Sequence, residues 1–320
     1  MLFRSRKEKE TWKDGAVSHQ HDSSVRVDSG VSHNIDEAET AAKGKVTLRS
    51  SEDETLDLGE GRTQSKGVSH ETRVGGSMDW SQNLAERESW TGDVYYGLTL
   101  KKGESQTMGD EVHTDSVSHK METKNKFSDD STSVGVGYQH TKSDSVKRAD
   151  GTSVENSTIH KANVTGSQKD KVGSDGEKSS SHAIGLDLGR TQRTKEVIQT
   201  DDGKLTQQDD NTMSANIGYG TDDKKFKGGL GRSTQSQLIR DDGSRTKTKV
   251  MDSLSADHTG SADVGRKIEH VDSYHKKKLD DETHLITQKG KSSVNFGGGT
   301  SKDEDGDRTY NAKAGASYTA

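Results

Sequence analysis

The sequence predicts an all-β fold, a long antiparallel up-and-down meander of β-hairpins, either open or closed into a barrel. Three observations predict it. Apolar and small polar residues alternate strictly, as in Val134, Val136 and Tyr138 against Gly135 and Gly137, and period two with one apolar face is the mark of a strand half-buried in a layer. Turn signals recur at Ala149-Asp150-Gly151, Asp201-Asp202-Gly203, Asp241-Asp242-Gly243 and Leu279-Asp280-Asp281-Glu282, and Asp-Gly is a strong short-range hairpin signal because a type I′ turn needs positive φ at both central residues. The chain contains no proline in 320 residues, as expected where most backbone N–H groups serve ladders.

Composition limits what this meander can bury. Hydrophobic residues make up 25% of the chain and aromatic residues 4%, well below the usual globular mix, so a thick core is excluded. So polar a chain invites comparison with disordered sequences, which bury too little apolar surface to offset chain entropy. The missing proline and the maintained alternation argue for order. Net charge is −6, from 47 basic and 53 acidic residues. The two signs are interspersed, which leaves no extended basic surface for a nucleic acid. With no cysteine, disulfides, thiolate nucleophiles and thiolate metal sites are excluded.

Two sets of connections organise the chain. The last three Asp-rich turns lie about forty residues apart, as repeated two-strand units would place them. Between them fall loops at 169–178, 221–225, 258–261 and 301–307. The Asp-Gly end of the hairpins is termed distal and the other end proximal. Beside the proximal loops the alternation is clearest, in Ile184, Leu186 and Leu188, in Met213, Ala215, Ile217 and Tyr219, in Val294 and Phe296, and in Tyr310, Ala312, Ala314, Ala316 and Tyr318. Toward the distal turns both faces become polar, as in Thr191-Gln192-Arg193-Thr194-Lys195-Glu196. Residues 89–126 fit the same plan, with Val94, Tyr96, Leu98 and Leu100 on one face before a loop expected at 101–104. Strands are expected at 45–58 and 67–80, and residues 1–44 are read as a polar, weakly ordered segment preceding the hairpin domain at 45–320. A helix is considered at 78–89 on the stripe Trp80, Leu84 and Trp90. Val-Ser-His recurs at Val17, Val31, Val68 and Val117, read as a decayed repeat within strands.

The search for chemistry returns no catalytic, cofactor-binding or metal-binding residue. Gly290-Lys291-Ser292 lacks the glycine a P-loop needs, because Leu285 stands there; Gly229-Leu230-Gly231 begins a dinucleotide fingerprint, but Thr234 occupies its last glycine position and no βαβ pattern surrounds it. Asp303, Asp305 and Asp307 alternate as calcium ligands can, but Arg308 and Ala314 stand where an EF-hand needs Gly and Glu. His19, His21 and Asp22 have no fourth ligand at motif spacing. No Gly-x-Ser-x-Gly elbow occurs, and the sequons at Asn156 and Asn163 receive no role. The three turn glycines Gly151, Gly203 and Gly243 are read as structural.

Three functional classes follow. The leading one is a non-enzymatic structural or interaction protein, a wall, shell or fibre component whose dense charges guard exposed edges and whose edges can pair with other copies. The second is a membrane-inserting barrel or pore. The Gly-rich amphipathic segments beside short proximal loops, with long polar extensions opposite, resemble the general layout of outer-membrane barrels, although the apolar segments span about seven residues where a crossing takes roughly nine to eleven. The third, a carbohydrate-active β-sheet enzyme, has no converging motif. The start from Met1 to Glu10 has no apolar stretch of a secretory signal, and no segment has the length and apolarity of a transmembrane helix. The expectation is a chain kept inside the cell, or carried to the outer membrane or surface without a cleaved signal.

Overall fold

A computed structural model describes residues 2–34, 39–83, 86–172, 178–200, 203–221, 225–241, 244–276, 286–302 and 307–319. Its strands in chain order are β1 (Leu2–Asp14), β2 (Val17–Asn34), β3 (Glu39–Gly59), β4 (Arg62–Asn83), β5 (Glu86–Met108), β6 (Glu111–Ser128), β7 (Ser131–Arg148) and β8 (Ser153–Val172). There follow β9 (Lys178–Thr200), β10 (Gly203–Gly220), β11 (Lys225–Ile239), β12 (Arg245–Asp257), β13 (Ala262–Lys276), β14 (Ile286–Lys302) and β15 (Arg308–Thr319). They form one 15-stranded sheet in sequential order, each strand antiparallel to the next. This is the all-β meander the alternation predicts. The edges of the sheet are β1 and β15, and no ladder joins them among the described residues.

The strands are long because nothing in the sequence interrupts them. The longest, β5 and β9, have 23 residues each, about 75 Å at the usual rise. The loop expected at 101–104 is absent: β5 runs straight through, with Lys101 opposite Ser69 and Glu104 opposite Lys66. Charged residues there sit where both faces of the sheet meet solvent, so they do not oppose strand pairing. The chain reverses instead at Gly109 and Asp110, between Met108 and Glu111. The helix considered at 78–89 is also replaced by strand. Trp80 pairs with Trp90 across β4 and β5, and Met78 and Trp80, two residues apart, share one face of the sheet.

A distal turn forms at Gly151 where Asp-Gly places it, but Gly151 takes positive φ and Asp150 does not, so it is not the type I′ turn with positive φ at both central residues. Arg148 and Thr152 close it (N···O 2.9 Å) and Gly151 takes φ 86°. Gly203 opens β10 at φ 116°, where a Cβ would lie 2.8 Å from the Asp241 carboxylate. Gly243 and the 279–282 turn lie outside the described residues. Among the proximal loops, 258–261 is built on Asp257, whose Oδ1 accepts hydrogen bonds from the Thr259 and Ser261 amides at 2.9 and 3.1 Å.

The sheet has almost no core. Among the described residues Val197 is the single buried hydrophobic side chain, and no side chain is fully enclosed. Packing occurs within the polar face instead. Glycines on this face accommodate side chains of the neighbouring strand. A Cβ on Gly137 would stand 2.7 Å from Asn163 Oδ1, one on Gly229 2.6 Å from Asn216 Oδ1, and one on Gly315 2.7 Å from Asn295 Oδ1. The ring of Tyr95 lies over its partner Gly75 in the same way. These contacts explain the Val-Gly-Val-Gly alternation: a glycine on one strand leaves room for an Asn, Ser or Tyr on the next.

Candidate interaction surface

Because directly paired residues point to the same side of an antiparallel sheet, the register assigns every side chain to a face. The face carrying Val136 can be followed along a single row: Val27, Val46, Val74, Tyr96, Thr123, Val136, Val164, Leu186, Ile217, Gly228, Ala256, Ala262, Thr300 and Tyr310. The row from Val25 runs to Ala312 through Leu98, Tyr138, Leu188, Leu230 and Val264. The rows from Ser29 and Val31 run to Phe226 and His182. From β2 onward these four consecutive rows contain no Asp, Glu, Lys or Arg, in a chain whose residues are 31% charged; on the edge strand β1, Arg4 and Arg6 stand opposite Val27 and Val25.

This uncharged band is exposed. Val134, Val136 and Tyr138 are 47%, 44% and 43% accessible, while the alternating Gly135, Gly137 and Gln139 on the opposite face are partly covered. Every exposed large hydrophobic residue that the ladders assign to a face, from Trp12 to Tyr318, lies on this one face. The arrangement is inside-out relative to a soluble sheet, in which the apolar face is the covered one.

Both borders of the band have a defined composition. At the proximal border are Trp80 and Trp90, paired with each other, and Tyr219 tilted against Phe226 with ring centroids 4.6 Å apart. At the distal border the next row carries His70, His119, His140 and His160, then Arg190, Arg232, Asp252 and Arg266. The rings of His119 and His140 have centroids 4.7 Å apart, and His119 Nδ1 lies 2.7 Å from the Tyr138 hydroxyl. Arg266 donates to both Asp252 oxygens, at 2.7 and 3.2 Å. On β5 the uncharged stretch of this face runs from Trp90 to Leu100, the length of a membrane-crossing strand.

The polar face carries hydrogen-bonded charge pairs. Arg193 grips Asp210 through two bonds of 2.7 and 3.0 Å, Glu71 bridges Arg49 and Arg73, and Glu269 joins Lys267 and Lys291 at 2.7 and 3.6 Å.

The residues considered for chemistry do not converge. His19 stacks on Trp12 at 5.1 Å; His19 and His21 share the apolar face while Asp22 faces the other way. Asp303 and Asp305 lie outside the described residues. Gly229-Leu230-Gly231 and Gly290-Lys291-Ser292 are strand residues in β11 and β14, and Asn156 and Asn163 are strand residues in β8. Among the described residues no group of three or more His, Asp or Glu is arranged to hold a metal ion, and no catalytic constellation is present. All four Val-Ser-His repeats lie in strands with Val and His on the apolar face and Ser on the other. Sequence reasoning read them as strand remnants and missed that His70 and His119 lie in the border row.

No protein-family model matches the sequence, and no curated protein matches it. Among solved structures, the chain aligns with the β domain of the Bordetella autotransporter BrkA at 11% identity and a TM-score of 0.22, over 85% of this chain and 96% of that one. It aligns with Salmonella typhi OmpF in complex with daunomycin at 10% identity and a TM-score of 0.16, over 90% and 100%. The translocation pore of the P pilus usher PapC gives 9% identity and a TM-score of 0.16, over 99% and 98%. Alignments this weak carry no argument about function.

Proposed function

We propose that the chain is a non-enzymatic membrane-inserting β-sheet protein of outer-membrane type, with the Val136 face toward lipid and the Gly/Asn/Ser face toward an aqueous interior. One observation carries this reading: four exposed rows without charge from β2 onward, two of them running on to β15, set against a polar face whose side chains pack on one another. Moving a half-exposed Val or Leu out of water contributes roughly 1 kcal/mol, repeated over the exposed apolar side chains of the four rows. The aromatic pairs at the proximal border and the cationic row at the distal border fit the two interfaces of a bilayer. Lipid cannot satisfy unpaired ladder groups, so in this reading β1 and β15 pair with each other or with second copies of the chain.

The alternative is a soluble wall or fibre component, favoured by the strand extensions that are polar on both faces, such as Thr191 to Glu196 of β9. In that case the apolar face is covered by a second copy. Sedimentation of the purified chain with and without vesicles, followed by circular dichroism of each fraction, separates the two. Co-sedimentation with a β spectrum supports the membrane reading; a β spectrum confined to the supernatant supports the scaffold.

A further inference from the structure

We propose that the row at the distal border of the apolar band binds the phosphate headgroups of anionic lipids. The inference rests on the membrane reading and names the lipid that face selects.

The net charge of the chain is −6, so a bilayer of anionic lipid would repel it on average. The border row departs from that average. It holds three arginines against two carboxylates, Glu8 on the edge strand β1 and Asp252, and Asp252 is occupied by Arg266 through two hydrogen bonds. Arg190 and Arg232 are exposed; neither makes a hydrogen-bonded ion pair among the described residues, although Arg232 stands opposite Asp252 and acts on its charge. They flank Met213 in the register, on β9 and β11 with β10 between them. Neighbouring strands are about 4.8 Å apart, so the two guanidinium groups stand roughly 10 Å from each other on one level. That spacing suits two adjacent headgroups better than one.

Placement supplies the second argument. On β9 and β11 these arginines are the first charges met beyond the four rows, one row of about 6.8 Å from the apolar residues Leu188 and Leu230. A guanidinium there can keep its alkyl stem on the apolar band and present its planar fork to a phosphodiester at the headgroup level. The histidines on β6, β7 and β8 continue the same level and add ring N–H donors of the kind that hydrogen-bond phosphate oxygens.

With Asp252 and Arg266 neutralising each other and Glu8 on the far edge strand β1, two charges remain on β9 and β11. A basic residue near an anionic bilayer strengthens binding roughly fivefold at ordinary ionic strength, so the pair should give a preference of roughly 25-fold. The test is partitioning of the full chain between buffer and vesicles of phosphatidylcholine alone or mixed with phosphatidylglycerol. The wild type is compared with the double variant Arg190→Gln, Arg232→Gln and with the charge-matched control Lys161→Gln, Lys313→Gln on the polar face. The expected result is a preference for the phosphatidylglycerol vesicles of roughly 25-fold, falling to less than about twofold in the arginine variant and retained in the control. Equal binding of the wild type to both vesicles overturns the inference and leaves the membrane reading standing, as does an equal loss in the control. A chain that keeps its β spectrum and binds neither vesicle overturns the membrane reading and the inference with it.

Discussion

A lysine at position 136 discriminates between water and lipid as the environment of the apolar face. Val136 is 44% exposed and lies between Thr123 and Val164 in the third of the four uncharged rows. In water, Val136→Lys places a charge on an accessible surface and should change stability by no more than about 0.5 kcal/mol. In lipid the same ammonium must reach an interface. The charged border row is two rows away, about 13.5 Å along the strand, and a lysine stem extends about 6 Å. The charge stays within the apolar layer, and the cost should approach the midplane value of about 2–4 kcal/mol. Gln139→Lys, three residues away on the polar face, provides the comparison and should be neutral to within about 0.5 kcal/mol in both media. Urea unfolding followed by circular dichroism, in buffer and in vesicles, reads both. The reasoning fails if Val136→Lys costs no more in vesicles than in buffer, or no more than Gln139→Lys.

Further predictions concern the hairpins. Gly203→Val puts a β-branched residue at φ 116° with its Cβ against Asp241 and should destabilise the sheet by about 1–3 kcal/mol; an unchanged melt would remove the turn assignment. Arg193→Ala breaks the two-bond contact with Asp210 and, because the guanidinium is partly solvated, should cost about 1 kcal/mol, read as a lower urea midpoint. Acid should weaken the distal turns. Hydrogen bonds from Thr152 hold the Asp150 carboxyl below its ordinary value, and hydrogen bonds from Arg148 and His113 do the same for Glu111. For a carboxyl lowered on folding, the stabilisation is complete above its unfolded pKa and is lost as pH falls through the folded one. Stability should decline below the ordinary carboxylate range, and Asp150→Asn should flatten part of that decline in acid titrations followed by circular dichroism.

The strands were legible because their alternation survives wherever one face is uncharged, as at Val134, Val136 and Tyr138. The turn at Gly151 was legible because Asp-Gly marks where the chain reverses. Where both faces are polar, alternation disappears and only turn chemistry remains, so Lys101-Lys102-Gly103-Glu104 reads as a loop although its backbone continues a ladder. The tryptophans at 80 and 90 misled for a different reason: a hairpin reversal brings them face to face, while their spacing along the chain suggests a helical stripe. The border row could not be read from sequence at all. Arg190, Arg232 and His119 are scattered along the chain and become one level only when the registers between their strands are fixed, although the period-two placement of each within its own strand was available.

The lack of cysteine allows the central claim to be tested with single labels. Val164→Cys on the apolar face and Asn163→Cys on the polar face, each carrying an environment-sensitive fluorophore in vesicles, can be exposed to quenchers attached to lipid chains and to aqueous iodide. Quenching of position 164 by lipid and of position 163 by iodide is the predicted result; aqueous quenching at both positions would contradict it.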